Sequence, residues 1–158
     1  MAAPTGDHVR RFEPLVAVYV PERFSKAARR ALRAAPQVPF TQLHELEVPN
    51  AFALLLGRGL ISADEYRAIH TQLREDVDAQ RLVPLPLDWD RVFASARELS
   101  QAYTAKLLTR SLDLLHVAAA QVATCRSFVS ADDRQLAVAK ATGFTVIDVK
   151  RSVRSAKR

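Results

Sequence analysis

One cysteine, Cys125, stands among 158 residues. An internal disulfide is therefore excluded, and so is a zinc cage built on thiolates. Cys125 sits among apolar residues ahead of an expected strand and reads as a small buried filler. His8, His44 and His70 share no ligand spacing, so a histidine-rich zinc site is not expected. Long apolar runs are missing too. None approaches the roughly 18 residues of a membrane span. The start, Met1 to Arg11, lacks the apolar stretch of a secretory leader. A cytoplasmic location and no membrane partner are the default expectations. Glycine forms no phosphate-cradling loop and no Gly-x-Ser-x-Gly elbow, which counts against a nucleoside triphosphatase or an α/β-hydrolase. There is no internal repeat or low-complexity segment.

What is present is an ordinary globular composition with a basic balance. Hydrophobic residues make up 49% of the chain and charged residues 25%, enough to enclose the core of one domain. The formal charge of +6 leans toward a polyanionic partner, nucleic acid or an acidic protein. Much of the excess lies at the ends. The tail from Lys150 to Arg158 carries five positive charges and no acid. It reads as a solvated terminus or as an arm that touches RNA phosphates.

The patterning alternates strands and helices. Leu15–Val20 is a short β-branched run stopped by Pro21 and reads as a buried strand. Ser25 caps an expected helix to about Ala35. Val38–Thr41 is a short strand, followed by a helix from Gln42 to Leu56 that contains Pro49. Ser62 and Glu65 form a capping box for a helix from Ala63 to Val77. Leu82–Leu85 is an edge strand because it holds Pro84. A helix opened by Asp88 or Asp90 runs to Leu107, and another starts near Ser111. Ser127–Ser130 is a strand, Asp132 opens a helix ending at Gly143, and Phe144–Val149 is the last strand. The alternation predicts an α/β fold with a mainly parallel sheet. In such folds sites gather at the carboxyl ends of the strands.

Three acids stand out by their settings. Glu47 lies on an otherwise apolar helix. Asp113 lies in a segment that is apolar nearly all round, so its carboxylate must be buried with partners or face a cleft. Asp132 follows a strand at a strand-to-helix turn. Each also has a plain structural reading: a solvated helix face for Glu47, a favourable helix dipole for Asp113, an N-cap for Asp132.

The runs Thr41–Ala51, Arg110–Ala120 and Phe128–Gln135, with Gly143–Val146 after them, resemble motifs of the PIN-domain family, VapC-type toxin ribonucleases. Tyr19-Val-Pro-Glu22 matches a turn common after the family's first strand. The resemblance runs from about Leu15 to Val149 and is most specific around Asp113. It implies a three-layer α/β/α sandwich over residues 12–149, with 1–11 as an extension and 150–158 as the basic tail. It further implies a metal-dependent endoribonuclease toxin, with Mg²⁺ or Mn²⁺ held by Glu47, Asp113 and Asp132. An antitoxin protein and a homodimer follow from it, with the helices between Gln42 and Val77 as the dimer surface. Glu47 is preferred to Glu45 by the match to Glu-Val-Pro-Asn-Ala, and Asp132 to Asp133 by the Arg-Gln that follows. Arg110, Ser111, His116 and Arg134 are candidate substrate contacts.

The resemblance breaks at its first acid. Counting back from Leu15–Val20, the family's aspartate falls on Arg11. Glu13 can supply a carboxylate on the same strand face. Alternatively Arg11 places a cation where a metal belongs, and the domain binds RNA or a protein without cutting. A third reading is an altered start of the chain.

Overall fold

The computed structural model describes residues 11–12, 16–19 and 37–151, with the backbone alone at 11, 12, 16 and 17. Glu13, the helix expected at Ser25–Ala35 and the tail beyond Arg151 lie outside these residues. The elements run β1 (Arg11–Phe12), α1 (Val16–Tyr19), β2 (Val38–Phe40), α2 (Gln42–Gly57) and α3 (Ala63–Asp78). Then come β3 (Leu82–Pro84), α4 (Trp89–Leu107), α5 (Ser111–Val122), β4 (Ser127–Ser130), α6 (Asp133–Ala141) and β5 (Thr145–Asp148).

All strand pairings among the described residues are parallel. One sheet has the order β1-β4-β5, with Arg11 in register with Ser127 and Ser130 with Asp148. The second pairs β2 with β3, Phe40 opposite Pro84. Each strand of this pair contains a proline, Pro39 or Pro84, which donates nothing to a ladder and suits a short edge. β2 also lies against β1, although no ladder joins them among the described residues. Parallel strands need covering helices, and the alternating connections supply them.

The helices begin where the sequence marks them. Ser62 Oγ accepts from the Glu65 backbone N–H while Glu65 returns a 2.7 Å bond to Ser62 N. Asp88 caps α4 and Asp132 caps α6. α2 continues through Pro49 to Gly57 rather than ending there. α5 carries Ala118, Ala119 and Ala120, all fully buried. Small side chains let α4 approach closely through Val92, Ala96 and Leu99.

One expectation fails. Leu15–Val20 reads as a strand, but Val16–Tyr19 is a helical turn and the strand lies earlier, at Arg11–Phe12. An apolar run this short carries no period that separates the two states. Tertiary contacts decide it. Val18 and Tyr19 are buried against α2 and α3, and the Tyr19 ring meets Phe52 edge-on at 5.9 Å. The Tyr19 hydroxyl donates to Asp76 Oδ2 at 2.6 Å, and Arg81 Nε donates to Asp76 Oδ1 at 2.6 Å. Burial first, then the Asp76 carboxylate, hold the phenol far above its ordinary pKa, so it remains a donor.

Asp76 is itself buried and ties α1, α3 and the entry to β3 together. Asp76→Ala strands the Tyr19 hydroxyl in the core and is expected to cost about 2–3 kcal/mol in denaturant unfolding. A loss below about 0.5 kcal/mol would show that the cluster does not hold these elements.

Candidate functional site

β4 and its neighbours bring Asp113 and Asp132 together through one residue. Asp113 is the third residue of α5 and is only 8% exposed. Its Oδ2 accepts from the Arg110 backbone N–H at 3.1 Å. Its Oδ1 accepts from Gln135 Nε2 at 3.1 Å. Asp132 caps α6, with Oδ1 accepting from Arg134 N at 2.8 Å and from Gln135 N at 3.3 Å. Gln135 therefore touches one acid with its side chain and the other with its backbone. Ser130, buried at the end of β4, donates to Gln135 Oε1 at 2.9 Å and accepts from Asp132 N at 3.0 Å. The plain structural readings hold here: Asp132 is an N-cap, and Asp113 bonds the start of its own helix.

Glu47 reaches the same region by another route. It is half-buried on α2, and its Oε2 lies 2.6 Å from His116 Nε2. His116 is one helical turn beyond Asp113 on α5. The contact is a hydrogen bond when the imidazole is neutral and an ion pair when it is protonated. Glu45 is exposed, whereas Glu47 faces α5. Asp133 is also exposed and pairs with Lys150 Nζ at 2.5 Å, away from Asp113. Arg110, Ser111 and Arg134 are exposed around the two helix starts. Glu13 lies outside the described residues. At position 11 only the backbone pairing with β4 is defined.

Among the described residues no three His, Cys, Asp or Glu side chains are grouped as a set of metal ligands. Asp113 and Asp132 share Gln135 as a hydrogen-bond partner, and Glu47 is engaged by His116. That donor chemistry still suits Mg²⁺, a hard ion that commonly takes one or two carboxylates and keeps several waters.

His44 had no role in the sequence reading and proves central to the packing. It is 2% exposed at the start of α2, stacked on Phe40 with ring centroids 6.0 Å apart, and 5.7 Å from the His116 ring. Its Nδ1 accepts from the Thr41 backbone N–H at 3.2 Å. Gln135 and Ser130 were also missed. The signal available was a serine two positions before Asp132 and a glutamine three after it, at a strand-to-helix turn.

No protein-family model and no curated protein sequence matches the chain. Among solved structures it is similar to the structure of FitAcB from Neisseria gonorrhoeae. The TM-score is 0.59 at 16% identity, covering 89% of this chain and 98% of that one. A likeness at this identity concerns the fold, and it agrees with the PIN-like α/β arrangement of helices and short parallel strands. No helix among the described residues is long and apolar enough to cross a membrane.

Burial, and then the neighbouring His116, lower the His44 pKa to about 3. Above pH about 6.5 both folded and unfolded His44 are neutral and contribute no pH dependence. Below it the unfolded chain takes up a proton that the folded chain refuses. Stability is therefore lost as pH falls from about 6.5 toward 3, on the order of 1 kcal/mol per pH unit from this residue. His44→Asn keeps an acceptor for Thr41 N–H and removes the titration. Unfolding curves at pH 7, 6 and 5 are expected to show a shallower decline in the variant. Parallel declines would mean that His44 is protonated in the folded protein.

Proposed function

We propose that this chain is a PIN-type nuclease of a toxin–antitoxin pair, an endoribonuclease that depends on Mg²⁺ or Mn²⁺. The observation that carries the reading is Asp113. It is a buried carboxylate on an otherwise apolar helix, held from two sides and tied through Gln135 to Asp132. Capping accounts for the bonds at each helix start, but burying the Asp113 carboxylate costs free energy that one capping bond offsets only in part. Two acids linked through one glutamine beside two helix N-termini are the equipment of a site that handles phosphate.

In this reading Asp113 and Asp132 hold the divalent cation, with Glu47, which contacts His116 one helical turn along α5, as the third candidate acid. Once bound, the cation supplies Lewis-acid stabilisation of the phosphate and lowers the pKa of a water. Arg110 and Arg134, exposed at the starts of α5 and α6, meet the RNA backbone, with Ser111 and His116 nearby. The basic balance of the chain favours a polyanionic partner such as RNA. Single-stranded loops are the accessible substrate. The FitAcB likeness supports a toxin-type fold, and an antitoxin protein and a second copy of this chain are the partners we assign. The cytoplasm is where these would meet.

A second reading has its own observations. Among the described residues Glu47 is engaged by His116 and no three ligands are grouped, while Arg11 occupies β1 beside β4. On this reading the domain binds RNA or its protein partner without cutting.

Purified protein with mixed RNA in Mg²⁺, Mn²⁺ or EDTA, beside Asp113→Ala, separates the two. The nuclease reading expects cleavage that EDTA abolishes and that Asp113→Ala lowers at least a hundredfold, about 2.7 kcal/mol of barrier. Cleavage untouched by Asp113→Ala would place the site elsewhere. Folded protein that retains RNA but leaves it whole would establish the binding module.

A further inference from the structure

We propose that Gln135 is a positioning residue that sets Asp113 against Asp132, an inference that rests on the nuclease reading above. Two carboxylates repel each other, and a pair with loose side chains would turn apart when no cation lies between them. Gln135 prevents this from a single position. Its backbone N–H fixes Asp132 Oδ1, and its amide Nε2 fixes Asp113 Oδ1. The distance between the acids is thereby tied to the length of one side chain on the first turns of α6.

The amide has one workable orientation. Ser130 Oγ accepts from Asp132 N, so its own proton is left for Gln135 Oε1. Turned over, the amide would present Oε1 to the Asp113 carboxylate, two acceptors face to face. Ser130 is 2% exposed at the end of β4, so the sheet itself sets the orientation. Asp113 Oδ2 is meanwhile held by Arg110 N at the start of its own helix. The carboxylate is thus aligned by α5 on one side and by α6 on the other. Both ends of the Gln135 amide are taken up by Asp113 and Ser130, so it acts through the acids.

The test is Mn²⁺ binding to the full chain, read by the electron paramagnetic resonance signal of free Mn²⁺ and by thermal shift. The variants are Gln135→Met, Gln135→Asn, Ser130→Ala and Asp113→Asn. Methionine keeps the bulk and loses both bonds. Asparagine keeps the amide but is too short to reach Asp113. Both leave the backbone bond to Asp132 intact. Each is expected to weaken Mn²⁺ binding about tenfold while the metal-free Tm stays within a few degrees of the wild type. Ser130→Ala, which frees the amide to turn, is expected to give a smaller loss that adds little to Gln135→Met. A purely structural glutamine would lower the metal-free Tm and leave the Mn²⁺ affinity of the folded protein unchanged. Wild-type affinity in both Gln135 variants, with binding abolished in Asp113→Asn, would overturn the role of Gln135 and leave the acid pair standing. Absence of Mn²⁺ binding in the wild type would remove the metal reading and this proposal with it.

Discussion

The candidate site depends on holding two carboxylates, Asp113 buried and Asp132 partly exposed, at fixed places on two helix starts. Four N–H donors do this: Arg110 N and Gln135 Nε2 on Asp113, Arg134 N and Gln135 N on Asp132. Three of them are backbone groups at the first turns of α5 and α6, where the helix dipoles add positive potential. Much of the neighbouring architecture serves to hold those two helix starts in place. The alanine run of α5 seats that helix against α4, and β4 delivers the chain from one helix to the other.

Much of the fold was legible because its signals are local. Ser62 with Glu65, Asp88, and Asp132 marked helix starts that side-chain bonds now account for. Val38–Phe40, Ser127–Ser130 and Thr145–Asp148 were short branched runs with few alternatives. Leu15–Val20 misled because its state is settled by what Tyr19 and Val18 touch some fifty residues away, not by its own pattern. The site was legible in part for the same reason. Asp113 stood out as a charge in an apolar segment. Gln135 and Ser130 did not, since a polar residue in a bonded network has no periodicity and looks like any surface residue. His44 was passed over because a lone histidine on an apolar helix has no motif, although its burial makes it part of the packing.

His44 also helps join the two buried apolar clusters. Phe40 belongs to the core around Tyr19, Phe52 and Leu82, and His116 rides on the helix whose apolar face forms the second core with Val92 and Phe128. The stack Phe40–His44–His116 crosses between them and ends on Glu47. A neutral ring suits this place: it supplies an acceptor to Thr41 and flat apolar surface to both neighbours, with no charge to desolvate.

The parallel pairing of residue 11 with residue 127 has a consequence for how the protein is made. The strand that opens the described chain pairs with β4 only after residues 127–130 have left the ribosome. Such distant pairings form late and slowly. Asp113 is likewise synthesised before Gln135, the residue that aligns it. Throughout translation the acids are therefore present but unassembled, and the site comes together only when α6 docks.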